Sequence, residues 1–198
     1  MASELELKAV VPDPVALRQR LLDRAARPAF RGMLRDRRLD REGLLTASDQ
    51  VLRLREWTAD GASRRAVLGW KGPTSVSTEG YKHREELELT VEDADTALAM
   101  LRALGYRVVQ VIDRYVEVFE LAGGVARLEW YPRLDVLVEL EGSPESIERL
   151  VAATGLPRGA CLPDSLAAFA ARYEARTGRR AVLAESDLAG ELPGWAAA

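Results

Sequence analysis

The chain has 198 residues, of which 47% are hydrophobic and 30% charged, with a formal net charge of −3 at pH 7. This length buries a substantial core as one domain, or as one domain with a small appendage, and the charge balance excludes general attraction to nucleic acid or anionic membranes. Cys161 stands alone, which excludes an internal disulfide, and the single histidine, His83, excludes a multi-histidine metal site, so candidate chemistry falls on carboxylates, Lys and Arg.

The first element is legible at once. Glu4-Leu5-Glu6-Leu7-Lys8 carries charge on every second residue, the period of a strand with its charges on one face. It begins too near the N-terminus to leave room for a signal peptide, and no uncharged stretch reaches membrane-spanning length, so a cytoplasmic location is expected. Pro12-Asp13-Pro14 then turns into a helix, with Asp13 as N-cap, Pro14 in the first turn, and Leu17 and Leu21 on one face. Arg35 to Asp40 gives a weak strand signal, and Asp40 to Gly43 turns the chain into an extended Val51 to Trp57. Gly61 marks a hairpin, Ala66 to Lys71 returns, and Gly72-Pro73 ends that strand before a mobile Ser/Thr-rich loop, Thr74 to Thr78.

Arg84 to Thr90 resumes the alternation. Asp93 or Asp95 caps a helix through Leu104 that stops at Gly105. Val108 to Leu121 and Val125 to Tyr131 meet at Gly123-Gly124, a hairpin signal, and Asp135 to Glu141 is the last clear strand. Helices follow from Ser143 to Gly155 and from Ser165 to Arg176, the second with Leu166, Phe169 and Tyr173 on one face. Four strands with charges at period two, Glu4 to Lys8, Leu52 to Arg55, Arg84 to Leu89 and Val138 to Glu141, can close into a barrel with the charges inside. Such a lumen would grip a metal and a polyanion.

In order along the chain stand Glu4-x-Glu6-x-Lys8, Leu52-Arg53-Leu54-Arg55, Trp70-Lys71-Gly72-Pro73, Arg84-x-Glu86-x-Glu88 and Glu139-x-Glu141. This series resembles the CYTH family, the triphosphate tunnel metalloenzymes, which includes class IV adenylate cyclases and thiamine triphosphatases. The resemblance implies an α+β fold: a closed antiparallel β-barrel of about eight strands forming a charged tunnel, with helices packed outside. It places the tunnel domain in residues 1–178 and leaves 179–198 as a C-terminal tail. Two positions depart from the family pattern. Arg114-Tyr115-Val116 puts Val116 where a second cation is usual, and Glu129 stands where an Asp is usual.

A triphosphate demands several cations, and a hard divalent ion demands oxygen ligands. On alternate inward positions seven acids (Glu4, Glu6, Glu86, Glu88, Glu129, Glu139, Glu141) face seven bases (Lys8, Arg53, Arg55, Lys71, Arg84, Arg114, Arg127), a nearly balanced lumen. The resemblance implies that Glu4, Glu6, Glu129, Glu139 and Glu141 hold Mg2+ or Mn2+, and that Lys8, Arg53, Arg55, Lys71, Arg84, Arg114 and Arg127 contact phosphate. Lys8 lies nearest the chemistry, where neighbouring cations would lower its pKa toward that of a base, and Glu86 and Glu88 orient the bases.

The implied activity is metal-dependent hydrolysis of inorganic triphosphate or of a small organic triphosphate, nucleoside or thiamine. The alternatives are an adenylate cyclase and a non-catalytic triphosphate- or polyphosphate-binding module; Lys8 and five metal-type carboxylates speak against the module. The partner is a small-molecule triphosphate, not nucleic acid or membrane, and the chain is a monomer or a homodimer. Outside the motifs, Arg31, Arg35, Arg37 and Arg38 lack interleaved aromatics and read as a solvated face. Trp70, out of phase with Lys71, reads as facing the covering core, Trp57 could stack on a ring at the tunnel mouth, and His83 reads as a loop residue without a role.

Overall fold

The computed structural model describes residues 2–60 and 64–197, without the side chains of 2–4 and 197. In chain order the elements are β1 (Ala2–Val10), α1 (Pro14–Asp23), β2 (Arg27–Asp40), α2 (Leu44–Ala47), β3 (Val51–Ala59), β4 (Arg64–Lys71) and β5 (Ser75–Val76), then β6 (Lys82–Val91), α3 (Ala94–Ala103), β7 (Arg107–Leu121), β8 (Gly124–Trp130), β9 (Leu137–Glu141), α4 (Pro144–Thr154) and α5 (Leu166–Thr177). The strands run β1-β9-β8-β7-β2-β3-β4-β6, and β6 pairs back onto β1, so eight antiparallel strands close a ring with β5 appended to β6. The closed α+β barrel with helices outside is the fold that the alternating charges imply.

Closure follows from which face of each strand needs covering. Leu7, Ala9, Ala126, Leu128, Val138 and Leu140 project outward from β1, β8 and β9 and are sealed by Leu17 and Leu21 of α1 and Ile147, Leu150 and Val151 of α4. A second outer cluster joins Leu39 and Leu54 to Leu98 of α3. Each fully buried Leu contributes roughly 1.5–3 kcal/mol, so these outer layers carry the hydrophobic stabilisation. The helix signals hold in detail. Asp13 accepts from Ala16 N at 2.9 Å, Ser143 from Ser146 N at 3.2 Å, and Asp93, rather than Asp95, caps α3 by accepting from Asp95 N and Thr96 N. Gly155 ends α4 with φ +71.

Three local readings are corrected. β2 is not a short strand from Arg35 but a 14-residue one, paired with both β3 and β7. Its charges sit on both faces, which hides the alternation. His83 is on β6 rather than in a loop, and its Nδ1 lies 3.0 Å from Ser75 Oγ. Within the Ser/Thr-rich loop, Ser75–Val76 pairs with β6 as a short strand. The hairpin expected at Gly61 lies outside the described residues.

Beyond α4 the chain crosses one end of the barrel. Leu162 forms a bridge with Lys8, in both directions at 2.8 and 2.7 Å, next to where the β1–β6 pairing stops at Glu6 and Lys82. α5 then buries Phe169 against Ile112, Tyr131 and Leu137. The segment after α5 returns across β7, with Asp113 N donating to Leu183 O at 2.8 Å and with Val182, Ala184 and Leu188 buried. No helix among the described residues is long and apolar enough to cross a membrane.

Candidate active site

The antiparallel registers decide which side chains meet. Glu6 stands opposite Lys82 and Glu141, Lys8 opposite Glu139, Arg127 opposite Glu139, Lys71 opposite Glu86, Asp36 opposite Arg55, and Arg38 opposite Arg53. Paired residues share a face, so all of them project into the barrel. There all but Glu86, Arg127 and Glu141 line a cavity of about 230 Å³ that opens beside the start of α5. Gly69, opposite Arg53 and Glu88, has no side chain to compete with them for this space.

Among the described residues, this cavity is walled by eight cations (Lys8, Arg38, Arg53, Arg55, Lys71, Lys82, Arg84, Arg114) and five carboxylates (Glu6, Asp36, Asp49, Glu129, Glu139). The chain as a whole is acidic, yet its concave site carries a surplus of three positive charges. Low-dielectric walls focus such a field toward an incoming anion. The surplus belongs to the cavity and not to the lumen as a whole: Arg127, Glu86, Glu88 and Glu141 share the inward face but stand beyond the cavity's walls. With them the described residues count nine cations to eight carboxylates, close to the expected balance, with Arg38, Lys82, Asp36 and Asp49 as the unexpected members.

The cations are held in place by acids and carbonyls. Arg53 donates to Glu86 at 2.8 Å and Glu88 at 3.1 Å, and Lys71 lies 3.3 Å from Glu86. Arg84 donates through Nε to the carbonyl of Gly72 at 2.6 Å and through Nη2 to that of Asp49, so it ties two mouth loops together. Asp36, 2% exposed, forks onto Arg55 at 2.6 and 2.9 Å and accepts from Arg114 at 3.3 Å. Burial alone would raise the Asp36 carboxyl, but Arg55 and Arg114 hold it well below the usual range. Burial, and then Arg53 beside it, make Arg55 less basic than usual, the mark of a cluster short of anions.

The acids gather on the β1–β9 side. Oxygens of Glu6, Glu139 and Glu141 lie within 4.8 Å of one another. These are hard donors of the kind that Mg2+ or Mn2+ takes, so the residues fit a divalent ion. They are shared with cations: Lys8 bridges Glu6 at 2.8 Å and Glu139, Lys82 donates to Glu6 at 2.5 Å, and Arg127 donates to Glu139 at 2.6 Å and Glu141 at 3.1 Å. Despite the burial that would raise it, Glu6 is held down at about 2, chiefly by Lys8 and then Lys82. Glu129 is not part of this trio; it accepts from Tyr131 at 2.5 Å and pairs with Arg114 at 3.0 Å. The Glu4 side chain lies outside the described residues, although its backbone stands opposite Arg84.

The CYTH domain profile matches residues 2–153, three quarters of the chain, and takes in all eight strands of the barrel and β5. The chain belongs to the CYTH domain family. Similar solved structures carry the same fold at low identity. A putative adenylate cyclase from Vibrio parahaemolyticus superposes with a TM-score of 0.71 at 20% identity, over 84% of this chain and 96% of that one. The PH1819 protein of Pyrococcus horikoshii OT3 gives 0.69 at 21%, over 89% and 99%. A putative adenylyl cyclase from Hippeastrum, whose structure is described as revealing a dominant triphosphatase activity, gives 0.61 at 17%, over 90% and 97%. No protein of curated function matches the chain by sequence.

Within this CYTH barrel two readings change. Lys8 was expected among cations that lower its pKa; its near neighbours are instead Glu139 and Glu6, which outweigh burial and raise it. In this arrangement Lys8 is a firmly charged ammonium. Arg38, read as solvated, lines the cavity, donates to Gln110 at 3.1 Å and is made less basic by burial. Sequence reasoning also missed Asp36, Lys82 and Tyr131. Lys82 was within reach, because Lys82-x-Arg84-x-Glu86-x-Glu88 extends the alternation by one step. Trp57 faces inward over Arg55 and Arg127, at 5.7 and 5.9 Å, and Trp70 is half-buried with its Nε1 on Gln50.

Proposed function

We propose that this CYTH protein is a metal-dependent phosphohydrolase acting on inorganic triphosphate or on the phosphate tail of a small organic triphosphate. The observation that carries this reading is the surplus of cations in a cavity of about 230 Å³ beside a trio of carboxylates. That volume is below the roughly 300–1,000 Å³ of sites that engulf drug-sized organic ligands, and it matches a ligand that is mostly phosphate.

Phosphoryl transfer asks a protein mainly for positioning and charge stabilisation. Lys71, Arg53 and Arg84, with Arg38 and Lys82, bind the phosphate oxygens, held in register by Glu86, Glu88 and the loop carbonyls. Lys8, kept charged by Glu6 and Glu139, offsets the negative charge that develops as the phosphoanhydride bond lengthens. Glu6, Glu139 and Glu141 would hold Mg2+ or Mn2+, which when bound polarises phosphate oxygens and neutralises charge. Glu4, as the neighbour of Glu6 on the same strand face, joins this set in the proposal.

The test is to incubate the protein with inorganic triphosphate, ATP or thiamine triphosphate, each with Mg2+ or Mn2+ and each with a chelator. Orthophosphate release that the chelator abolishes is expected. Cyclic AMP with pyrophosphate would replace the reading by a cyclase, and binding without products would replace it by a sensor.

A further inference from the structure

The inward face changes character along its length. The cavity's walls reach Asp36, Arg55 and Arg114 and stop there. Two residues further along each strand, on the same face, stand Leu34, Trp57 and Val116 in place of charges. Val118 follows, and Phe30 and Val125 pack against the same cluster, with Leu34 and Val116 fully buried and Phe30 edge-on to Trp57 at 4.9 Å between ring centroids. Gly32, opposite Val116 with φ +150, lets β2 come so close to β3 that a Cβ would strike the Thr58 carbonyl oxygen.

The layer above this plug is cross-linked rather than open. Asp36 joins Arg55 to Arg114, and Arg114 joins Glu129, so two of the eight cations are committed to a floor. Val116, at the position where a second cation was expected, is part of the seal beneath it. A phosphate chain cannot pass this plug: Leu34 and Val116 would strip its hydration, and the cation beside them, Arg127 over the Trp57 ring, is already bonded to Glu139 and Glu141.

We infer that this lumen is a blind pocket that recognises the free end of a linear phosphate chain, with the terminal phosphate on the Asp36–Arg55–Arg114 floor, and cannot take the interior of a long chain. This deepens the phosphohydrolase reading and rests on it. An interior segment would have to enter doubled back through the opening beside α5, placing two charged strands in a space of about 230 Å³. Any organic group on the other end of the chain stays at the mouth, between Thr74 and Pro163.

The test uses the whole protein with three inorganic probes: linear triphosphate, cyclic trimetaphosphate, and long linear polyphosphate of defined length. Affinities come from calorimetry and the number of proteins per long chain from sedimentation, with only complexes that linear triphosphate displaces being counted. Expected are tight binding of the linear trimer, binding of the ring at least about tenfold weaker, and no more than two proteins per long chain, one for each end. More than two displaceable proteins per chain, or equal affinity for ring and linear trimer, would overturn the blind pocket and leave the phosphohydrolase reading standing. Failure of linear triphosphate itself to bind would overturn both.

Discussion

The two halves of the barrel interior are made by the same strands, in the same alternation, and differ in what the alternation presents. Toward α5, β2, β3 and β7 offer Asp36, Arg55 and Arg114; a step further they offer Leu34, Trp57 and Val116. Taking so many ions out of water costs more than their pairing returns unless each is multiply bonded, so the charged half is a poor source of stability. The apolar cluster of Leu34, Val116 and Val118 and the outer layers under α1, α3 and α4 supply what the charged positions do not. The division teaches that one strand can be stabilising and functional by turns, and it can be broken residue by residue.

The largest effect is expected where charge meets chemistry. Glu139→Gln leaves Lys8 and Arg127 without the carboxylate they share and removes one oxygen donor from the trio. Metal-dependent turnover should fall by about 1,000-fold or more, some 4 kcal/mol of transition-state stabilisation, with far-ultraviolet circular dichroism unchanged. Steady-state kinetics across a Mg2+ titration checks it; equal turnover would remove these carboxylates from the reaction.

The floor between the halves comes next. Asp36 faces Arg55 and Arg53 from β3 and Arg114 from β7, and its folded-state pKa is depressed. A depressed carboxyl contributes stability that is fully present above its unfolded value of about 4 and is lost as pH falls through the folded value. Unfolding free energy should therefore drop with acidification below about pH 4, and Asp36→Asn should flatten part of that drop. At neutral pH the same substitution should cost about 3 kcal/mol, because it leaves two buried guanidiniums short of an anion. Denaturant melts of both proteins across pH measure this.

A core change should behave in the opposite way. Leu54 is fully buried on the outer face of β3 against Leu39 and Leu98. Leu54→Ala should cost about 2–3 kcal/mol in a urea melt, toward the low end for such truncations because α3 can settle into the space. KM for triphosphate at 25 °C should not move, although Arg53 and Arg55 are its immediate neighbours in sequence.

What was legible in the sequence follows the same division. Strands with charge on one face only, such as Glu4 to Lys8 and Leu52 to Arg55, announced both the barrel and its inward set. β2 concealed its part because Arg35 and Arg37 face outward while Asp36 and Arg38 face inward, so no period of two is visible and the residue that organises the floor was missed. The plug was hidden for a different reason: Leu34, Val116 and Val118 look like any apolar strand residues until closure shows that they share a face with Asp36 and Arg114. The lowered pKa expected for Lys8 failed because strand order, not sequence spacing, decides its neighbours, and β9 brings Glu139 against it.

The smallest effect tests whether charge matters where it is merely solvated. Arg149 pairs with Glu145 one turn earlier on α4 at 2.6 Å, with the two side chains 60% and 77% exposed. Water and salt screen such a pair, and fixing two long side chains costs entropy, so Arg149→Ala should change stability by less than about 0.5 kcal/mol. Arg127 forms bonds of the same kind to Glu139 and Glu141, yet its side chain is 9% exposed and its partners belong to the carboxylate trio. The same chemical pair is thus nearly neutral on the helix and decisive in the lumen, and thermal melts showing a loss at Arg149 comparable to that of Leu54→Ala would mean that burial is not what separates them.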